Sequence, residues 1–458
     1  MKWLVKITAI SMLITSAWAV GEAGAIFLMI APGAGPAATG EAQVAKVGDA
    51  YASYYNPAGL GFLSGREAAL MHVNWLPNLA DDLFYEFMAY RHEVPGLGTF
   101  GGHIIFLNLG KQIQTDENGN QIGVFRSNMW AITGSFGTML NARSSIGVSA
   151  KIFHQKLFDK GVSGEAGKGI STDFAFDLGY LWKSDRINFG ISIANIGPSI
   201  AFIDENQADP APTNMRMGVK FDVFKNEFNR LELFFDMNKM LVASYSEMDW
   251  DDNGVIGGYT DNGNESWGGD YNSDGQQETA YKDKWYKALF TSWLDDWYLG
   301  GDLNLGGWTT QQEADNVIGG YTWIDNPLNT DDIGEIYGKG DSQVSNYVSR
   351  PECPQCEIVA EENGKLNEWG VKEIGTGDDR KFSAEFKEMV YNFGAEYWYT
   401  DNFVLRGGFI YDEVGKIKVP TFGAGIHLGQ YGFDFGYTAG KSGHPRANTM
   451  YFSLNIEI

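Results

Sequence analysis

The sequence predicts an all-β protein: a 14-stranded antiparallel transmembrane β-barrel with an N-terminal plug and one very large external loop. Three observations carry that prediction. Apolar and aromatic residues alternate with small or polar ones in segments mostly of about nine to thirteen residues, against about 5–6 in soluble sheets. The connections between these segments alternate between long and short, as in outer-membrane barrels with an even strand number. Past the N-terminus no apolar run reaches ~18 residues, which excludes a helical membrane protein.

Composition sets the outer bounds. The chain has 458 residues, with 34 Lys+Arg and 58 Asp+Glu, for a formal net charge of −24. Such an acidic chain repels phosphate backbones, so no nucleic-acid partner is expected. A hydrophobic fraction of 44% is too high for a disordered chain. The 58 Gly beside 29 Phe, 22 Tyr and 14 Trp suit strands joined by tight turns. Two cysteines cannot hold a fold of this size together.

Taken in order, residues 1–19 read as a signal peptide. Lys2 and Lys6 precede or flank an apolar run from Ile7 to Ala17, and Ala17-Trp18-Ala19 supplies a small-x-small cleavage pattern. Residues 20–65 are the expected plug. They are rich in Gly, Ala and Pro, so their backbone can lie close to a barrel wall. Asn56-Pro57-Ala58-Gly59 is its motif, with Pro57 making a rigid turn. The barrel is expected over 66–458, with strands near 67–75, 83–93, 98–108, 127–139, 144–157, 171–182, 187–196, 214–224, 230–242, 388–400, 403–412, 421–428, 431–439 and 450–458. In the sixth, Phe174, Phe176 and Leu178 alternate with Ala175, Asp177 and Gly179, which assigns the first set to lipid and the second to the lumen. Trp75, Trp130, Trp182 and Tyr397-Trp398-Tyr399 stand at strand ends as candidates for aromatic girdles. The remaining loops at 109–126, 158–170, 197–213, 413–420 and 440–449 are expected on one side with the great loop.

That loop, 243–387, holds most of the charge: residues 246–388 contain 30 acidic and 10 basic residues, a net of −20. Within it Asp249, Asp251 and Asn253 precede Gly254, and Asp270, Asn272 and Asp274 precede Gly275. Oxygen ligands at positions 1, 3 and 5 with Gly at 6 open a calcium loop, so calcium is the candidate cofactor. Position 12 is Thr260 in one and Tyr281 in the other instead of Glu, and solvated acidic turns are the alternative. Val255 to Thr260 recurs as Val317 to Thr322, suggesting a duplicated hairpin. Cys353 and Cys356 are expected to form a small disulfide. Zinc would need two further ligands, and none of the six His lies in this loop. Trp285, Phe290 and Trp293 belong to a short amphipathic stretch, read either as packing or as a partner-binding surface. No nucleophile elbow, His-Glu-x-x-His or phosphate loop occurs, so no enzymatic activity is expected.

Several segments are more specific. Phe27-Leu28-Met29-Ile30-Ala31-Pro32 leads to Gly40-Glu41-Ala42 and then to Asp49 through Leu60, which contains Asn56-Pro57-Ala58-Gly59. With Phe235 to Val242, Phe393 to Tyr399, Leu405-Arg406-Gly407-Gly408 and Asn448 to Leu454, this pattern resembles PorV/PorQ-type proteins within the wider FadL-like barrel superfamily. The resemblance spans nearly all the mature chain except about 298–380, which looks like an insertion in the great loop. It implies a plugged outer-membrane barrel in type IX secretion, with the loop on the cell surface. It also implies a carrier that takes the C-terminal domains of cargo from the translocon and passes them to the attachment complex, in contact with outer-membrane lipid. The alternative is a FadL-like channel for hydrophobic small molecules. The acidic loop favours the carrier, because a hydrophobe channel would use an apolar external groove.

Overall fold

The computed structural model describes residues 23–46, 48–115, 121–158, 169–202, 208–245, 281–295, 322–324, 335–337, 382–440 and 447–458. The chain divides into two units, Met1–Leu241 with Lys387–Ile458, and Val242–Phe386.

The first unit is a closed antiparallel barrel of fourteen strands. In chain order they are β1 (Arg66–Asn74), β2 (Phe84–Val94), β3 (Gly98–Thr115), β4 (Gln121–Asn141), β5 (Ser144–Phe158), β6 (Gly169–Lys183), β7 (Ile187–Ile196), β8 (Asn214–Lys225), β9 (Arg230–Met240), β14 (Val390–Thr400), β15 (Phe403–Asp412), β16 (Ile417–Leu428), β17 (Tyr431–Thr438) and β18 (Thr449–Glu457). Each strand pairs with its neighbours along the chain, β9 with β14 across the great loop, and β1 with β18 closes the ring. The period-two pattern produces this directly. Phe174, Phe176 and Leu178 are exposed on the outside, while Ala175 and Asp177 are buried inside. Among the described residues no helix is long and apolar enough to cross a membrane.

The structure revises several boundaries. The polar stretch 109–126, expected to be loop, is largely ladder: Lys111 pairs with Arg126 and Ile113 with Val124 beyond a bulge after Asn108. Backbone pairing there needs no apolar face. The stretch 413–420 shrinks to a turn, in which the Asp412 carboxylate accepts the Gly415 amide at 2.7 Å. Pro420 pairs with Phe409 at the end of the β16–β17 ladder, where only its carbonyl is used, accepting the Ala439 amide at 2.9 Å, so its missing N–H is tolerated. Trp75 and Trp398 are not girdle residues. Both are buried, Trp75 beside Tyr85 and Trp398 donating to Glu396.

The core lies inside the barrel, because residues 23–46 and 48–62 occupy the lumen. They comprise a 3₁₀ turn at Ile26–Met29, α1 (Ala34–Ala38), α2 (Ala52–Tyr55) and a second 3₁₀ turn at Pro57–Phe62. Phe27, Leu28, Tyr51, Tyr54 and Tyr55 pack with Tyr85, Phe87, Ile105, Phe153 and Tyr451 of the wall.

Among its described residues the second unit has two short ladders, β10 (Ser244–Tyr245) with β11 (Tyr281–Lys282) and β12 (Thr322–Ile324) with β13 (Glu335–Tyr337). It also holds α3 (Trp285–Thr291). A further helix, α4 (Ser383–Lys387), spans the boundary between the units.

Candidate functional site

The N-terminal segment runs round the inside of the wall and meets every barrel strand. Polar side chains from the wall satisfy its backbone, as burial demands. Ser453 of β18 accepts the Ala34 amide at 2.8 Å. Thr421 of β16 accepts the Gly40 amide at 3.0 Å and donates to the Ala38 carbonyl at 2.9 Å. Asn392 of β14 donates to Gly40. One oxygen of Asp236 on β9 accepts two successive amides, Gln43 at 2.6 Å and Val44 at 2.9 Å. Asn188 of β7 donates to Ala45, and Arg216 of β8 reaches both the carbonyl and the hydroxyl of Tyr54. Ser145 of β5 donates to Ala58 at 2.7 Å, His103 of β3 meets Ser53 at 3.1 Å, and Tyr85 of β2 donates to Ile30. Met71 of β1 lies against the Gly33 amide, and Arg406 of β15 against Gly35.

Such close approach needs a wall without side chains at the points of contact. Inward-facing glycines provide it, often directly opposite each other across strands: Gly137 with Gly147, Gly147 with Gly179, Gly190 with Gly218, Gly394 with Gly408, and Gly423 with Gly436. A Cβ at Gly147 would sit 2.1 Å from the Pro57 carbonyl carbon, and one at Gly436 would sit 2.4 Å from the Ala34 oxygen. These are distances no side chain can occupy.

The predicted motif stands at the centre of this belt. Asn56 caps the turn at Pro57–Phe62, accepting the Ala58 amide at 3.1 Å. Its own amide donates to the Val44 carbonyl at 2.9 Å and to Tyr180 of β6 at 3.1 Å. Pro57 at the first position of the turn loses no needed donor. Ala58 is fully buried, and a Cβ on Gly59 would press on Ala52 at 3.1 Å.

Near the short-turn end the segment is tied electrostatically. Lys46 lies 2.8 Å from Glu396, which also accepts Arg406 at 2.8 Å. Arg406 binds Asp434 at 2.5 Å, and His427 lies 3.3 Å from the same carboxylate. Burial alone would lower the Lys46 pKa, but the facing carboxylates of Glu396 and Asp49 together outweigh it and the net shift is upward. Asp49 is shifted upward by burial, against the pull of Lys46. These groups line a polar cavity of about 300 Å³ together with Glu67, Lys220, Arg230 and Glu232. Arg230 stacks over Trp398 at 4.1 Å.

Sequence reasoning missed Lys46, Asp236, Arg406 and Asp434. Their signal was a charged residue at lumen parity inside a period-two strand, or, for Lys46, one within a Gly/Ala-rich segment. Of the other predicted sites, α3 carries Trp285, Tyr286 and Phe290 exposed, Phe290 at 74%, while Trp293 just beyond it is half-buried. The aromatic residues of the amphipathic stretch are thus not buried as a unit. Asp249, Asp251, Asn253, Asp270, Asn272, Asp274, Cys353 and Cys356 lie outside the described residues, as does most of the repeated hairpin. Among the described residues no group of His, Cys, Asp and Glu is arranged to hold a metal ion.

A sequence model of the family described as "Type IX secretion system protein PorV" matches residues 16–247. No curated protein matches the chain. Among solved structures, the toluene transporter TbuX of Ralstonia pickettii is 12% identical with a TM-score of 0.43, covering 94% of this chain and 97% of that one. The toluene transporter TodX of Pseudomonas putida is 12% identical with a TM-score of 0.43, covering 93% and 96%. A Pseudomonas aeruginosa FadL homologue is 10% identical with a TM-score of 0.40, covering 93% and 98%.

Proposed function

Since this chain belongs to the PorV family of type IX secretion outer-membrane barrels, we propose that it is a non-enzymatic carrier. It receives the C-terminal domains of exported cargo from the translocon and delivers them to the surface attachment complex. The family match carries the reading, and the filled lumen supports it. A segment that touches every strand and is hydrogen-bonded to most of them suits a barrel that acts through its rim and loops. A hydrophobe channel would need that segment to move aside.

The remaining assignments belong to the same reading. Residues 1–19 are removed on export. The loop 243–387 faces the cell exterior, with 298–380 as an insertion. Its net −19 steers basic or polar cargo surfaces. Calcium orders the two acidic turns at Asp249 and Asp270, and Cys353 pairs with Cys356. Trp285, Phe290 and Trp293 contribute to partner contact.

The test is capture from membranes. Full-length protein should co-purify with proteins bearing type IX C-terminal domains. Deleting 298–380 behind a short Gly/Ser linker should leave the barrel folded and weaken capture, most visibly at low salt. Intact capture by the deleted protein would remove the loop as docking surface. Hydrophobe uptake with no protein captured in either form would favour the channel instead. Free-thiol labelling without reductant should give almost no signal, and quantitative labelling would remove the disulfide.

A further inference from the structure

The outer face of the barrel carries a basic patch that the carrier role does not use. On β3, β4 and β5 the lipid-facing rows are ordered along the strands. Ile104, Ile132 and Ile152 stand exposed in one row, each paired with the next. The following row is Phe106, Trp130 and His154, with Trp130 stacked on His154 at 5.4 Å. Next come Asn108, Asn128 and Lys156, and then Lys111 directly across from Arg126. Apolar, aromatic, amide and cationic rows follow one another toward the long-connection end. That is the order of environments from hydrocarbon through interface to headgroup.

The Lys111–Arg126 pair is the informative feature. Like charges directly opposite on adjacent strands repel, and among the described residues neither side chain makes an ion pair. The neighbouring Asp82 carboxylate accepts the Lys111 backbone amide at 2.9 Å, not its ammonium. Both side chains are exposed. In a chain of net charge −24, two cations held directly opposite each other call for an anion. The apolar wall beneath them places lipid at that spot.

We propose that Lys111 and Arg126 bind the phosphate of a lipid headgroup whose acyl chains lie against Ile104, Ile132 and Ile152. The aromatic row sets the depth of the headgroup. Arg126 supplies a planar donor fork and Lys111 supplies a point charge. This goes beyond cargo transfer and holds whether or not cargo is captured.

The full chain in detergent is titrated with diphosphorylated lipid A, and bound lipid is counted by native mass spectrometry. Monophosphorylated lipid A, phosphatidylcholine and inorganic phosphate form parallel arms. Wild type should hold the diphosphorylated lipid, the monophosphorylated form more weakly and phosphatidylcholine least. The double variant Lys111→Gln/Arg126→Gln should bind the diphosphorylated lipid at least about tenfold more weakly, while Lys111→Arg/Arg126→Lys keeps most of the binding. Equal binding of all three lipids by wild type overturns the proposal without reference to any variant. So does unchanged binding by the folded Gln variant. Displacement of lipid by millimolar inorganic phosphate makes the site a free-anion site and overturns it as well.

Discussion

Phe176 and Asp177 are neighbours on β6 with opposite surroundings. Phe176 is 49% exposed on the outer wall, whereas Asp177 is 2% exposed and lies 2.9 Å from Lys151. Phe176→Arg should cost ~2–4 kcal/mol near the midplane, read as a lower temperature for loss of the compact band on gels. Phe228→Arg, in the turn between β8 and β9, should stay within about 0.5 kcal/mol. Equal loss in both would contradict the assigned facing. Alternation alone makes Asp177 look replaceable, because it says only that the residue faces inward. The structure adds that Asp177 also accepts the Asn195 amide at 2.8 Å. Asp177→Asn therefore leaves a buried ammonium short of its counter-charge and should cost about 3 kcal/mol. Lys46 gives a pH prediction. Its folded pKa is raised above the ordinary 10.5, so its contribution is fully present below that value and is lost as pH rises through the folded pKa. Thermal stability should fall in that alkaline range, and less steeply in Lys46→Met. Equal slopes in the two proteins would remove Lys46 as the cause.

At the level of elements, the glycine belt shows what a sequence withholds. Gly179, Gly190 and Gly218 were visible at lumen parity, and so was the Gly/Ala-rich segment. Their alignment into a track was not, because it depends on strand register, which periodicity leaves free. Gly147→Val puts a side chain where the Pro57 carbonyl carbon stands, 2.1 Å from the Cβ position. The barrel should still close, and the segment around Pro57 should become accessible to protease. Protection equal to wild type would mean the wall yields instead. The outer length of β3 and β4 was hidden for a simpler reason. Beyond the membrane no apolar face is required, so the ladder there leaves no period-two trace.

The whole molecule is legible in outline: fourteen strands, their facing and the filled lumen all follow from alternation, connection length and a recognisable leader. The wiring of the lumen is not, since Lys46 and Glu396 stand 350 positions apart and nothing local links them. A planar-bilayer recording offers the matching test. Wild type should conduct almost nothing, and deletion of 23–62 should give steady large openings. Large openings in wild type would mean that the segment does not seal.

The bond from the Ala34 amide to Ser453 joins residues 419 apart. One of the earliest parts of the chain therefore receives one of its partners from the strand that completes the ring. The luminal segment thus behaves as a mandrel: the sheet is wound around it, and each strand gains polar partners and glycine contacts as it arrives. Until β18 docks on β1, the mandrel keeps the Ala34 amide unsatisfied and the sheet keeps two raw edges, so an interrupted chain is penalised twice. Assembly is then coupled end to end. Loop-closure entropy over hundreds of residues makes the last step slow, and the same step, once taken, locks the core inside a ring with no seam left to open.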